Sequence, residues 1–341
     1  MCLNDRGKIS VSPYHVQAIL EAFAAGDAFG MPAEFMTRRE IHERFGIINR
    51  LLEPFESRNH PDLPKGSVTD DTGQVLALLD EYILRGRVDP RDTAMRLLQW
   101  MRESGAVEKR YIGPSSKSAL EAIKNGADPI MTGTHGTTCG GVMRSPAAVL
   151  YSIAKQSSSS NEIADAVQAC LMPTHNTHEA LESAIAYSFA LVAAIKGGDV
   201  SDIVQEVIAG AAAGAARAPW QTCGASPAAR VLHFLSIRQE FNTPESVLDF
   251  LYEVYGTGLD SVDVATAALC IFLFGLEDTW LCIRMGASIG GDTDTIAALA
   301  GALSAAYRFR RLGSTNIPPE IFKEIQRVNG LDLEKLSNRL F

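Results

Sequence analysis

The stretch GGDTDTIAALAGAL occupies residues 290–303 and joins a glycine pair, an acidic cluster and a helical run. The two glycines allow the backbone to turn tightly or to approach a ligand closely. The alanine- and leucine-rich part favours a helix that packs closely against its neighbours. A similar order of polar and then apolar residues recurs at 69–84, TDDTGQVLALLDEYIL. Both stretches predict polar clusters that stand at the start of buried helices.

Apolar residues spaced three and four apart recur along most of the chain, as in residues 14–25 and 72–84. Runs of alternating β-branched residues bounded by turn signals are not found, nor is a fixed-period repeat. The sequence therefore predicts a compact all-α fold, with residues 1–341 in a single domain. Further helices are predicted near 90–103, 115–125, 142–155, 161–171, 177–196, 200–215, 243–254, 262–275, 293–307 and 318–328.

Four segments are predicted to be loops. Residues 53–68 hold three prolines and mixed charge, so they are expected to frame or cover a cleft. Ser157–Ser160 is expected to be a solvated loop, and Arg308–Pro319 a loop that precedes a terminal helical hairpin. Thr132–Gly141 is rich in glycine and threonine and runs into a helix, where free backbone N–H groups form a ready anion site. A plain connection between helices explains the same composition.

Charge and cysteine usage limit the classes of partner and the compartment. The net charge is −9, from 31 basic and 40 acidic residues, which argues against nucleic acid as a stable partner. A small phosphorylated ligand needs only a few local donors. The six cysteines show no CxxC spacing, and residues 1–10 lack the apolar segment of a signal peptide. We therefore expect a cytoplasmic protein, and the apolar stretches at 184–195 and 264–276 are too short or interrupted to span a bilayer.

Two acidic clusters exceed what helix capping requires. Each of Thr69-Asp70-Asp71 and Asp292-Thr293-Asp294-Thr295 precedes a predicted helix, where one Asp or Thr is enough to cap the free N–H groups. Adjacent carboxylates repel each other unless a cation lies between them. Oxygen ligands alone favour a hard divalent ion such as Mg²⁺, Mn²⁺ or Ca²⁺. The clusters lie near opposite ends of the chain, and the residues alone leave open whether they meet.

Five motifs occur in an order that resembles the ADP-ribosylglycohydrolase family. They are GDAFGMPAE (26–34), TDDT (69–72), GGVMRSP (140–146), TH (174–175) and GGDTDTIAALAGAL (290–303). This resemblance implies an orthogonal all-α bundle with two divalent cations in a cleft, Mg²⁺ as the first expectation and Mn²⁺ as the second. The metal ligands that it implies are Thr69, Asp70, Asp71, Asp292, Asp294 and Thr295.

The resemblance also assigns a chemical role to Glu34. The acid at this family position acts near the glycosidic carbon, either as general acid/base or as the group that orients water. From the residues alone, an exposed loop glutamate is the alternative. Asp27, in the same motif, is expected to be a structural cap or turn residue.

Substrate contacts are implied along the loop before residue 142 and at two further points. The family loop that matches 132–141 contacts phosphate and ribose, TH at 174–175 resembles a pocket histidine, and GTG at 256–258 is similar to a second family loop. We expect His178 to lie outside the first contacts of the substrate. The expected substrate contacts are Gly136, Thr137, Thr138, Cys139, Gly140, Gly141, His175 and Leu259.

Cys139 departs from the family pattern. Many relatives have asparagine at this position, and the loop before it is longer here, so the distal part of the substrate is left open. A cysteine near a helix start is expected to have a lowered pKa. No paired base identifies a cysteine nucleophile.

The sequence therefore predicts a metal-dependent glycosidase that removes ADP-ribose from a modified protein, nucleobase or small molecule. Hydrolysis of a smaller nucleoside or ribosyl metabolite is one alternative, and the altered 132–141 loop is a reason for it. A non-catalytic homologue that binds a ligand or partner is another, although the set of implied metal ligands is intact. The linkage, the native metal and the oligomeric state stay open.

Overall fold

Helix-forming sequence dominates the computed structural model, which describes residues 11–109, 111–156 and 159–341. These ranges contain sixteen α-helices and no β-strand, with two isolated β-bridges, so the prediction of an all-α fold is confirmed. Within the same ranges, no helix is long and apolar enough to cross a bilayer. The helices are α1 (Pro13–Gly30), α2 (Arg38–Phe45), α3 (Asp70–Arg85), α4 (Pro90–Ser104), α5 (Pro114–Lys124), α6 (Gly140–Ala154), α7 (Ser160–Leu171), α8 (His178–Lys196), α9 (Val200–Arg217), α10 (Pro227–Ile237), α11 (Pro244–Phe250), α12 (Ser261–Gly275), α13 (Thr279–Ser288), α14 (Thr293–Leu312), α15 (Pro319–Asn329) and α16 (Leu333–Arg339).

The predicted helices agree with the structure in place but not always in length. The helix predicted at 243–254 consists of α11, which ends at Phe250, and a π-helical turn over Leu251–Tyr255. The predicted loop Arg308–Pro319 is shorter, because α14 continues to Leu312 and ends at a left-handed Gly313. The predicted terminal hairpin is formed by α15 and α16. Ser157 and Ser158 of the predicted serine loop, and the amino-terminal residues 1–10, lie outside the described residues.

Three helices were not predicted, namely α2, α10 and α13. The sequence of α2, RREIHERF, is strongly charged and places only Arg38 and Ile41 in the interior, so it lacks an apolar stripe. Its start is set by a capping box in which Thr37 and Glu40 bind each other's backbone N–H groups. Short helices of this kind depend on caps and tertiary contacts more than on periodicity.

Small residues allow α1 and α14 to pack at very close range. A Cβ atom on Gly26 would lie 2.3 Å from the carbonyl oxygen of Ala297, and one on Gly30 would lie 2.3 Å from that of Thr293. On the other side of α14, a Cβ on Gly286 of α13 would lie 2.4 Å from the Ala297 Cα. Helix α14 is therefore held between α1 and α13, and its first fifteen residues are all buried. This packing fixes where the acidic cluster at its amino-terminal end lies.

The substitution Gly26→Ala is expected to destabilise the protein by about 2 kcal/mol or more, measured by urea unfolding. Alanine improves helix propensity by about 1 kcal/mol, but the added methyl group forces α1 and α14 apart. Gly258→Ala is the matched control, since its Cβ would meet no atom closer than the Asp263 Oδ2 at 3.7 Å. Equal stability of the two variants would contradict the close packing.

Candidate active site

The two acidic clusters lie side by side although they come from opposite ends of the chain. The hydroxyl of Thr69 lies 3.4 Å from an oxygen of Asp71 and 3.4 Å from an oxygen of Asp294. The hydroxyl of Thr295 lies 3.3 Å from the same Asp71 oxygen. These contacts join the start of α3 to the start of α14, which the sequence alone left open.

The N-cap residues of the two acidic clusters do not cap their own helices. Thr69 and Asp292 are the N-cap residues of α3 and α14, and neither side chain makes a capping hydrogen bond. Asp27 of α1 caps α3 instead, because its carboxylate accepts hydrogen bonds from the backbone N–H groups of Thr69, at 2.9 and 3.0 Å, and of Thr72, at 3.0 Å. Asp27 thus has the capping role expected of it, acting from a neighbouring helix. The Thr69 hydroxyl also donates to Asp27, at 2.9 Å, so it helps to hold the Asp27 carboxylate in place.

The glycine pair before α14 sets the position of Asp292. Gly290 and Gly291 have φ values of 88° and 78°, in the left-handed region that favours glycine. A Cβ on Gly291 would also lie 2.0 Å from the Thr257 carbonyl oxygen. The same carbonyl accepts a hydrogen bond from the Asp292 N–H at 2.8 Å, while the Gly291 carbonyl accepts one from Phe35 at 2.8 Å. The turn is therefore held between two loops.

The electrostatics of the joined clusters favour a bound cation. Three buried oxygens, Asp71 Oδ1, Asp292 Oδ2 and Asp294 Oδ1, have no hydrogen-bond partner. Burial raises the pKa values of Asp71 and Asp294 well above their ordinary range, and the neighbouring carboxylates add to the effect. Buried carboxylates without partners are costly, and a hard divalent cation prefers oxygen ligands of this kind. The donor chemistry therefore fits such a cation.

The arrangement is open rather than a closed metal cage. Among the described residues, no three Asp, Glu, His or Cys side chains form a group ready to hold a metal ion. Threonine hydroxyls and oxygens from outside the protein would have to complete the coordination.

A buried arginine is linked to Asp70 by hydrogen bonds through Gln74. Arg144 of α6 is fully buried, and its Nη1 donates to Gln74 Oε1 at 3.2 Å. The Gln74 amide in turn donates to Asp70 Oδ2 at 3.0 Å. Arg144 also donates to the Thr174 hydroxyl and lies 3.3 Å from His175 Nδ1. Sequence reasoning gave Gln74 and Arg144 no role; the only signal for Gln74 is its spacing of four from Asp70, which puts both on one helix face.

A cavity of about 290 Å³ opens beside the acidic clusters. The first residues of four helices, α3, α5, α6 and α14, contribute to its wall. The expected site residues that line it are Glu34, Asp70, Asp71, Thr138, Cys139, Gly140, Leu259, Asp292, Asp294 and Thr295. The lining residues that sequence reasoning missed are Phe35, Asn59, Tyr111, Ile112, Gly113, Pro114, Ser116 and Met143.

The remaining expected substrate contacts lie behind the cavity wall, and Thr69 lies between Asp27 and Asp294. A Cβ on Gly136 would lie 1.9 Å from the Thr174 carbonyl oxygen, and the Thr137 carbonyl accepts a hydrogen bond from Ser261 at 2.8 Å. A Cβ on Gly141 would meet the side chains of Leu171 and His175 at 2.9 and 3.0 Å. These residues shape the loop from inside and do not line the cavity.

His175, an expected substrate contact, is buried next to Thr138 and does not line the cavity. Its ring is fully buried, with Nε2 3.0 Å from the Thr138 hydroxyl and Nδ1 2.7 Å from the Thr174 hydroxyl. Burial lowers the pKa of His175 well below its ordinary value, and the charge of Arg144 adds to this. A neutral His175 therefore supports Thr138, which is the residue that reaches the cavity.

The expectation of a lowered Cys139 pKa is wrong. Cys139 is the N-cap residue of α6, and its N–H donates to the Leu259 carbonyl at 2.7 Å. Burial raises the pKa of the Cys139 thiol well above its ordinary value, and the charge of Asp292 raises it further. These two effects outweigh the helix amino-terminus, and the thiol stays protonated.

Glu34 lies at the cavity and is not an exposed loop residue. It follows a 3-10 turn over Met31–Ala33, and its side chain is 13% exposed. Its Oε2 atom accepts a hydrogen bond from Asn59 Nδ2 at 2.8 Å and lies within hydrogen-bond distance of His60 Nε2, at 2.9 Å. Both partners belong to the predicted 53–68 loop, which therefore contributes to the cavity wall.

Comparison with known proteins points to one protein family. A sequence model of the ADP-ribosylglycohydrolase family matches residues 14–341. The protein YegU of Escherichia coli (strain K12), whose function is uncharacterized, is 32% identical over 320 residues, which cover 93% of each chain. The ADP-ribosylarginine hydrolase Tri1 of Pseudomonas putida (strain GB-1) is 26% identical over 94% of this chain and 76% of its own length.

Two further relatives extend the comparison. The ADP-ribosyl-[dinitrogen reductase] glycohydrolase of Rhodospirillum rubrum is 26% identical over 83% of this chain and 82% of its own length. A solved structure, described as an ADP-ribosylglycohydrolase-related protein complex, shares the fold with a TM-score of 0.65, at 24% identity and 96% coverage of both chains. The chain therefore belongs to the ADP-ribosylglycohydrolase family, whose members are hydrolases that act on glycosidic bonds.

Proposed function

We propose that the protein is a divalent-metal-dependent hydrolase that removes ADP-ribose from a modified protein, nucleobase or small molecule. The observation that carries this proposal is the meeting of two acidic clusters, with three buried and unpartnered oxygens, beside Glu34 at one cavity. The names of two relatives, an ADP-ribosylarginine hydrolase and an ADP-ribosyl-[dinitrogen reductase] glycohydrolase, support a modified protein as the substrate. The single domain and the cytoplasmic location expected from the sequence stay predictions.

The metal part of the proposal rests on the donor set. The family is generally dependent on divalent metal ions, and Mg²⁺ is the first candidate here, with Mn²⁺ the second. When bound, two such ions would polarise the ribose hydroxyls and offset the negative charge of the clusters. The residues that would hold them are Thr69, Asp70, Asp71, Asp292, Asp294 and Thr295.

The protein's own residues supply orientation and proton handling. Asp27 and Arg144 fix the start of α3 and the side chain of Asp70, so the ribose-binding face is preorganised. Glu34, at the same cavity, would orient water or hold a proton near the C1 atom of the ribose. Thr138, Cys139 and Gly140 would contact the part of the substrate beyond this ribose.

The helix starts around the cavity suit a phosphorylated substrate. The first N–H groups of a helix have no partner inside the helix, and they carry partial positive charge. Gly113 and Ser116 in the first turn of α5, and Gly140 at the start of α6, line the cavity, whereas Pro114 has no N–H group. This side of the cavity would bind the phosphate next to the ribose.

A smaller nucleoside or ribosyl metabolite is the second candidate substrate. The volume of about 290 Å³ lies at the lower limit of the roughly 300–1,000 Å³ typical of ligand pockets. Cys139, which differs from the family asparagine, also lines this cavity. A non-catalytic homologue fits less well, since every expected carboxylate is present.

The substrate is tested by comparing turnover of three probes with Mg²⁺ and with Mn²⁺. The probes are an ADP-ribosylated arginine peptide, an ADP-ribosylated serine peptide and free adenosine, with released ADP-ribose or ribose measured by chromatography. We expect turnover of at least one ADP-ribosyl peptide to exceed that of adenosine. Turnover of adenosine alone would select the second candidate, and no turnover of any probe would favour a binding homologue.

Metal binding is tested by calorimetric titration of the metal-free protein with Mn²⁺. Asp292→Asn keeps the side-chain size but weakens an oxygen ligand, so the affinity should fall by at least about 100-fold. Asp165→Asn is the matched control, because the Asp165 side chain is 70% exposed and pairs with Arg217. Unchanged Mn²⁺ affinity in Asp292→Asn would contradict the metal site.

The role of Glu34 is tested by Glu34→Gln in steady-state kinetics on whichever probe is hydrolysed. The loss of a general acid/base is expected to lower kcat by about 10²- to 10⁴-fold, while KM stays within a few-fold. Glu43→Gln is the control, since Glu43 is on the outer face of α2 and pairs with Arg39. Full activity of Glu34→Gln would remove this residue from the mechanism.

A further inference from the structure

The two oxygens of the Glu34 carboxylate have different surroundings. Oε2 accepts a hydrogen bond from Asn59 Nδ2 at 2.8 Å and lies 2.9 Å from His60 Nε2, and the Asn59 and His60 nitrogens lie 3.1 Å apart. Oε1 receives no hydrogen bond from any residue that the structure describes. Two donors on one oxygen fix the plane of the carboxylate and leave the other oxygen as the atom that meets water or substrate.

His60 is itself held in place, so it can fix the position of another group. Its side chain is 5% exposed, and its ring packs edge-on against Tyr111 with centroids 5.4 Å apart. Its backbone N–H donates to the Ser57 hydroxyl at 3.0 Å. With the ring proton on Nε2, the ring donates to Glu34, and the Asn59 amide donates beside it.

The neighbouring residue of the same loop holds the backbone around Glu34. The Arg58 N–H donates to the Pro32 carbonyl at 3.3 Å, and its guanidinium donates to the Phe35 carbonyl at 3.0 Å. The guanidinium also pairs with Glu40 of α2 at 2.9 Å. The loop therefore makes hydrogen bonds to the backbone on both sides of Glu34.

The backbone is strained at Phe35, whose carbonyl accepts the hydrogen bond from Arg58. Phe35 has a φ of 60°, a left-handed conformation that a bulky side chain rarely adopts. Such a conformation costs of order 1–3 kcal/mol and persists only when its surroundings hold it. The Gly291 carbonyl holds it from one side, at 2.8 Å from the Phe35 nitrogen, and Arg58 holds it from the other. Two separate elements thus stabilise a strained backbone conformation directly after Glu34. Strain of this kind, next to a carboxylate at the cavity, indicates that the position of Glu34 matters for function.

We propose that Arg58, Asn59 and His60 form a clamp that positions Glu34 for hydrolysis, with Asn59 and His60 fixing Oε2 so that Oε1 faces the reacting sugar. This inference rests on the proposed function and adds three positioning residues to it. It also assigns a use to the 53–68 loop, which the sequence marks only as a frame around a cleft. His60 acts through Glu34 and does not itself contact the substrate.

The clamp is tested by kinetics of His60 variants on the hydrolysed probe. His60→Ala should lower kcat by about 100-fold, because a misplaced reacting group loses about that factor, while KM and Mn²⁺ affinity stay unchanged. His60→Gln should restore most of kcat, since its amide nitrogen can take the place of Nε2. His42→Gln, at an exposed position on α2, is the matched control and should behave as wild type.

A double-mutant cycle separates positioning from a general structural effect. In the Glu34→Gln background, His60→Ala should cause little further loss of kcat, since the two residues act as one unit. A merely structural His60 would lower activity by the same factor in both backgrounds. Wild-type kcat in His60→Ala, or equal losses in both backgrounds, would overturn the clamp and leave the proposed function standing.

A measurement without substrate keeps the clamp testable if no probe is hydrolysed. Nitrogen NMR of protein labelled in its histidine rings should show His60 with its proton on Nε2, with the signal assigned by its loss in His60→Gln. Glu34→Ala should shift that signal, because the acceptor is removed. A proton on Nδ1, or a signal unmoved by Glu34→Ala, would overturn the clamp, whereas the absence of turnover alone counts against the proposed function.

Discussion

Repulsion among buried carboxylates is the constraint on which the rest of the site depends. Asp71, Asp292 and Asp294 lie together with unpartnered oxygens, and burial raises the pKa values of these side chains. Such a cluster is unfavourable by itself, so other interactions must hold it. The close contact of α1 with α14, made through Gly26 and Gly30, provides that support. Helix packing thus offsets the free-energy cost of keeping these carboxylates together.

Several neighbouring residues hold the side chains of the acidic clusters in position. Asp27 caps α3 and accepts a hydrogen bond from the Thr69 hydroxyl at 2.9 Å, while Thr69 and Asp71 also face Asp294 and Thr295 across the two helix starts. On the opposite side of α3, Arg144 supports Asp70 through Gln74. Helix starts that bring backbone N–H groups to one cavity favour negative charge in a bound ligand, while the carboxylates favour cations. A phosphorylated sugar bound with divalent ions satisfies both preferences.

Local sequence predicts most of the helices and the acidic clusters, because periodicity, glycine and paired carboxylates are properties of short stretches. It does not predict positions that depend on distant contacts. Cys139 stands at a helix start, yet Asp292 and burial reverse the expected shift of its pKa. His175 matches a family position, yet Thr138 lies between it and the cavity. Asn59 and His60 have no local pattern, and only the fold brings them to Glu34.

The central claim is that one divalent-metal site is shared by residues from the two ends of the chain. Diffraction from crystals soaked in Mn²⁺, collected at the manganese absorption edge, tests it most directly. A site shared in this way should give anomalous peaks between Asp71 and Asp294, within about 2.2 Å of oxygens from both acidic clusters. No peak there, or a peak coordinated by only one of the clusters, would contradict it.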